Sequence, residues 1–168
     1  MVACCLGVAV TALVGCSNAS TSNAAQQSAI PTTQGAQADP RFLAADLPLL
    51  PFQVVSAIRP LPVMRAVYEF AARHPEVLRY VPCFCGCEAG GHKDNHDCFV
   101  AKRGADSRVL EWDTHGIGCA ICADVATRAM LLFNAGQSVA SIRGAVEKEF
   151  SPIGHGRTPT PMPRSGGN

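Results

Sequence analysis

Apolar positions recur at helical spacing in three stretches of the chain. After Pro62, the residues Val63, Val67, Phe70 and Ala71 fall on one face and Pro75 breaks the series, which predicts a helix from about Pro62 to His74 and a further turn through Arg79. From Cys119 onward, Cys122, Ala126, Met130 and Phe133 share a face, while Asp124, Thr127, Arg128 and Asn134 lie mainly on others. That pattern predicts an amphipathic helix stopped by Gly136, a residue suited to a left-handed helix end. Ser138 then reads as the N-cap of a last helix whose face is Val139, Ile142, Val146 and Phe150, with Arg143 and Glu147 at pairing distance. No stretch alternates strictly enough for a strand, and no internal repeat or glycine-rich phosphate loop is present. The expected class is mainly α: a small cysteine-rich helical domain with a C-terminal helical hairpin.

The flanks lack this periodicity. Residues 1–16, "MVACCLGVAVTALVGC", form an apolar run too short for a membrane span of about 20 residues, ending at small residues before a cysteine. This reads as an export signal, and "LVGC" resembles a bacterial lipobox, which makes Cys16 the expected lipidated residue. Residues 17–40 are small and polar with little to bury, so a disordered tether reaching about 25 to 30 Å is expected. The domain is placed at 41–150. Its first part is broken by Pro48, Pro51, Pro60 and Pro62 into extended segments or short turns. Residues 151–168 are rich in Pro and Gly and are expected to be a disordered tail. His155 and Met162 lie there as solvated side chains.

Composition narrows the functional classes. Fourteen Lys plus Arg against thirteen Asp plus Glu give a net charge of +1, so no long-range field favours nucleic acid. Hydrophobic residues make up 48% of the chain but aromatics only 6%, which points to a core of modest size.

The chemistry is concentrated in sulfur. Of nine cysteines, Cys4, Cys5 and Cys16 belong to the expected leader, which leaves Cys83, Cys85, Cys87, Cys98, Cys119 and Cys122. In an extended segment Cys83, Cys85 and Cys87 present three sulfurs to one side, and Gly86 permits a bend between them. Residues two apart have α-carbons about 6.5 to 7 Å from each other, at the upper limit for a disulfide, so pairing within the triplet is disfavoured. The partners are then Cys98, Cys119 and Cys122. The last two sit three apart at a predicted helix start, where unpaired N–H groups and the helix dipole favour thiolates. Thiolates from two chain segments can hold Cu(I) or Zn(II). Outside the cytoplasm the same thiols can also be oxidised to disulfides, and six cysteines allow 15 pairings.

Three histidines, His92, His96 and His115, lie in loops beside cysteines, where a structural hydrogen bond is the ordinary role of each. His115 is the best candidate ligand, because it directly precedes the helix carrying "CAIC". His74, near a helix C-terminus, has the ordinary role of a cation favoured by the macrodipole, and Trp112 that of a packing residue. Covalent haem attachment needs a histidine directly after Cys-x-x-Cys, and "CAICA" lacks one. A thioredoxin-like site needs a preceding strand in a βαβ unit, which the flanking pattern does not supply.

Taken together, "YVPCFCGC", "GHKDNHDCFV", Trp112, "HGIGCAIC" and "SVASIRGAVEKEF" resemble the family of bacterial lipoproteins named for a PCYCGC motif, with Phe84 in place of the usual tyrosine. The resemblance spans about Leu61 to Phe150 and implies a secreted, lipid-anchored protein. It places His92 and His115 in the motif beside the six cysteines and implies no established activity. The leading expectation is an extracytoplasmic protein on a bacterial membrane that binds or traffics Cu(I) or Zn(II) without catalysis. Its ligands would be Cys83, Cys85, Cys87, Cys119 and Cys122, with Cys98 as a sixth ligand or a support and His115 as a completing group. A three-disulfide interaction module competes with this reading, and thiol exchange through Cys119 and Cys122 is a third.

Overall fold

Leu61 to Arg73 wind into the first helix, α1, with Pro60 as N-cap, in a computed structural model that describes residues 46–51 and 56–164. The expected leader with Cys16 and the expected tether lie outside those residues. Helix α1 buries Met64, Val67, Tyr68 and Ala71, spaced three and four apart, so the core-facing stripe centres on Met64 and Tyr68 rather than on Val63. His74 ends α1, and its Nδ1 lies 2.9 Å from Glu76 Oε1. Pro75 then starts the single-turn α2, Pro75–Leu78. Two short 3-10 helices follow, Cys87–Gly90 and His96–Cys98.

The next element was not anticipated from the sequence. Val100–Arg103 (β1) and Val109–Trp112 (β2) pair as an antiparallel hairpin, with Val100 opposite Trp112 and Arg103 opposite Val109. Its turn passes through Ser107 at φ 66°. Each strand is four residues long, too short for two-residue alternation to rise above a mixed background. Helix α3, His115–Gly118, leads into α4, Ala120–Asn134. Gly136, at φ 76°, ends α4 in the left-handed region as expected. Helix α5, Val139–Phe150, begins at Ser138, whose Oγ accepts from the Ser141 backbone N–H at 3.3 Å. Among the described residues no helix is long and apolar enough to cross a membrane.

Helix α4 is the central element and packs on both α1 and α5, while the hairpin packs on α1. Tyr68 meets Phe99 and Trp112 edge to face, with ring centroids 5.0 and 5.4 Å apart, and its hydroxyl donates to the Asp113 carbonyl at 2.7 Å. Arg103 of β1 donates to the Ala71 and Ala72 carbonyls at 2.9 and 2.8 Å, filling acceptors at the end of α1 that the helix itself leaves unpaired.

The C-terminal stretch departs from expectation. Residues 154–160, read as part of a disordered tail, lie along the cysteine triplet. His155 N–H donates to the Phe84 carbonyl at 2.9 Å and Thr158 N–H to the Cys83 carbonyl at 3.0 Å, while Cys83 N–H donates to Thr158 Oγ1 at 2.8 Å. A β-carbon at Gly154 would lie 2.6 Å from the Phe84 carbonyl oxygen, so glycine is what permits this approach. Arg143, buried on α5, reaches under the strap and donates to the Tyr80 and Thr160 carbonyls at 3.1 and 3.3 Å. The Pro and Gly content prevents a helix here, and backbone hydrogen bonding to the triplet provides order instead.

Candidate metal centre

The triplet enters the core as an extended segment and turns at Gly86, which holds φ 83° and lets Cys87 begin a 3-10 turn. The bend folds the three sulfurs towards the start of α4, where Cys119 is the N-cap and Cys122 lies in the first turn. Cys98 arrives at the end of its own 3-10 helix. Neighbouring sulfurs are close: Cys83 to Cys122 is 3.2 Å, Cys85 to Cys122 3.3 Å, Cys98 to Cys122 3.4 Å, Cys83 to Cys85 3.6 Å and Cys87 to Cys98 3.7 Å. His115 Nε2 lies 3.3 Å from Cys85 Sγ. The six cysteines among the described residues all carry free thiols.

The spacing discriminates between bonded and coordinating sulfur. A disulfide needs about 2.05 Å, well below every separation here. A tetrahedron with Zn–S bonds of about 2.3 Å has edges of about 3.8 Å, so these five pairs stand within about 0.6 Å of coordinating distance. Three sets of four donors each fit within 4.8 Å: Cys83, Cys85, Cys87 and Cys122; Cys85, His115, Cys119 and Cys122; and Cys87, Cys98, His115 and Cys122. The structure thus brings together all six cysteines and the one histidine singled out from the sequence.

Burial and mutual contact set the protonation of the cluster. Cys83, Cys98 and Cys122 are wholly buried, Cys87 nearly so, and Cys85 and Cys119 are half-buried. Contacts with Cys119 and then Cys122 bring the Cys85 thiol down to about 2, and contacts with Cys122 and then Cys85 bring Cys83 down to about 5. Contact with Cys122 also lowers Cys98. Contacts with Cys119, Cys83 and Cys85 push Cys122 up; Cys87 is pulled down by Cys122 but raised overall by Cys83, Cys85 and Cys98. Sulfurs this crowded cannot all be anionic without a counter-ion, and the upward shifts of Cys122 and Cys87 favour their protonated forms.

Several supporting residues escaped the sequence reading. Asp113 accepts the His115 backbone N–H at 2.7 Å through Oδ1, and its Oδ2 lies 3.5 Å from His92 Nε2. The opposite face of His92 places Nδ1 3.5 Å from Cys98 Sγ, and contact with that sulfur raises the imidazole to about 9. For His115, burial lowers the imidazole and contact with Cys85 raises it, with a net upward shift. Asn95, fully buried, donates from Nδ2 to the Cys122 carbonyl at 3.2 Å. Asp113 had a detectable signal: an aspartate two residues before His115 is a helix-start pattern. Asn95 and Thr158 had none, since each acts through a distant backbone group.

Asp94, His96 and Asp97 also lie within 4.8 Å of one another. Arg103 Nε and Nη2 approach His96 Nε2 at 3.2 and 3.1 Å, and an arginine can only donate. His96 Nε2 is therefore the acceptor, and Nδ1, turned towards Asp97 Oδ1 at 3.6 Å, carries the ring proton. Nε2 is thereby committed to Arg103, while the buried Nδ1 makes no hydrogen bond.

The sequence pattern of a family described as "Protein of unknown function with PCYCGC motif" matches residues 5–163. The chain belongs to this family. Its PCFCGC stretch supplies three of the six converging thiols, so the segment that names the family is one wall of the sulfur cluster. No curated protein and no solved structure shows a significant match to the chain.

Proposed function

We propose that the protein is an extracytoplasmic, lipid-anchored binder of a thiophilic metal, Cu(I) or Zn(II), whose half-open sulfur cluster also lets it pass the ion on. The observation that carries this reading is the convergence of six free thiols on one cluster, with Cys83, Cys85 and Cys98 at 3.2 to 3.4 Å from Cys122 and Cys87 and Cys119 within 4.8 Å of it. Thiolates can crowd this closely in a buried site only at a cost unless a cation compensates them. The soft donor set fits Cu(I) or Zn(II), and the carboxylate-poor surroundings of the sulfurs do not suit Mg(II) or Ca(II). Cys85 and Cys119 are the accessible donors, so an incoming thiolate from a partner would engage the ion on that side. Lipidation at Cys16 would keep the domain at the membrane surface.

The test is intact mass under native and denaturing conditions, with thiol alkylation before reduction. Added native mass that is lost on unfolding, together with six alkylatable thiols, supports the metal reading. A mass six hydrogens below the reduced value with no bound ion supports the disulfide module. A single Cys119 to Cys122 bridge that equilibrates with a dithiol buffer supports thiol exchange.

A further inference from the structure

The three donor sets are not independent. Cys122 belongs to all of them, and Cys85, Cys87 and His115 to two each. One tetrahedral ion takes four donors, whereas six sulfurs and the His115 ring supply seven. An ion held by Cys83, Cys85, Cys87 and Cys122 leaves Cys98 buried 3.4 Å from Cys122 and 3.7 Å from Cys87, with Cys119 also outside it. An ion held by Cys85, His115, Cys119 and Cys122 leaves Cys83, Cys87 and Cys98 outside. No single position satisfies the cluster.

Charge gives the same answer. If all six sulfurs serve as thiolate ligands, one divalent ion leaves an excess of four negative charges in a largely buried site, where uncompensated charge is costly. A second divalent ion, or three to four monovalent ones, reduces the excess to two or three. A thiolate sulfur has three lone pairs and can bind more than one ion, while a neutral imidazole offers one nitrogen lone pair.

Resting on the metal reading above, we propose that the site is a polynuclear thiolate centre of at least two ions per chain, with Cys122 Sγ as a bridging ligand. The ligand sharing makes loading cooperative, because the first ion orders Cys122, Cys85 and Cys87 for the next. The position of Cys122 in the first turn of α4, with its carbonyl held by Asn95, fixes the bridging sulfur at the middle of the cluster.

The experiment is anaerobic titration of the reduced chain, with Cys4, Cys5 and Cys16 each replaced by serine so that only the six cluster thiols remain, with Cu(I) and separately with Zn(II), counted by native mass spectrometry. The expected result is a saturated form with two or more ions of at least one metal and little one-ion species on the way. Saturation at one ion per chain for both metals overturns the proposal while leaving metal binding intact. Binding of no ion overturns the metal reading and the proposal with it. Cys122→Ser should reduce the stoichiometry to at most one ion and weaken binding at least tenfold, whereas Cys119→Ser should remove at most one ion. Far-UV circular dichroism of both variants reports folding, and the wild-type count decides the matter if Cys122→Ser does not fold. Equal stoichiometry in a folded Cys122→Ser chain and in wild type overturns the bridging role.

Discussion

The sulfurs of Cys83 and Cys122 lie 3.2 Å apart across 39 residues of chain. This pair joins the triplet to the first turn of α4, and each partner is wholly buried. The fold therefore brings the two cysteine segments into one cluster, with Cys85 and Cys119 on its accessible side.

That asymmetry predicts the order of thiol modification. In the metal-free reduced chain, Cys85 and Cys119 should alkylate first, and Cys83, Cys98 and Cys122 only when the domain opens. Peptide mapping over a time course should show the two groups separated by at least tenfold in rate. Equal rates for all six would show that the cluster is not enclosed.

The docked strap should contribute to stability through Cys83. Thr158→Val preserves shape but removes the oxygen that accepts the Cys83 N–H at 2.8 Å, leaving a buried donor unpaired. The expected loss is about 1 to 3 kcal/mol. Urea unfolding followed by the fluorescence of Trp112, the single tryptophan, measures it.

Much of this architecture was legible beforehand because it rests on period or spacing. Helices α1, α4 and α5 carry buried residues three and four apart, and Gly136 and Ser138 mark the break between the last two. The six cysteines and His115 were visible as a pattern, although their meeting point depends on the turn at Gly86 and the placement of α4. The hairpin was hidden by its four-residue strands. The strap was hidden because its attachments are backbone groups of Phe84 and Cys83, which leave no side-chain signature.

Asp94 predicts a pH dependence. Burial, followed by the nearby Asp97 charge, raises its carboxyl to about 7 from 3.8. The native state then binds the proton more tightly than the unfolded chain, so this stabilisation is complete below about pH 4 and is lost as pH rises towards 7. Each tenfold gain in proton affinity contributes at most about 1.4 kcal/mol. Asp94→Asn should flatten the stability profile between pH 4 and 7, measured by urea midpoints; an unchanged slope would exclude Asp94 as its source.

Metal loading should release protons. Cys87 and Cys122 are shifted upward by their neighbours and must lose protons to coordinate. Apparent affinity should therefore rise with pH across the neutral range. Calorimetric titrations in buffers of different ionisation enthalpy should give a positive number of protons released per chain, smaller in Cys122→Ser.

X-ray absorption at the metal edge of the loaded full-length chain reports the atoms bound to the ion and so reads the sulfur cluster as a ligand set. The expected result is a first shell dominated by sulfur, at about 2.3 Å for Zn(II). A shell made only of oxygen and nitrogen would contradict it.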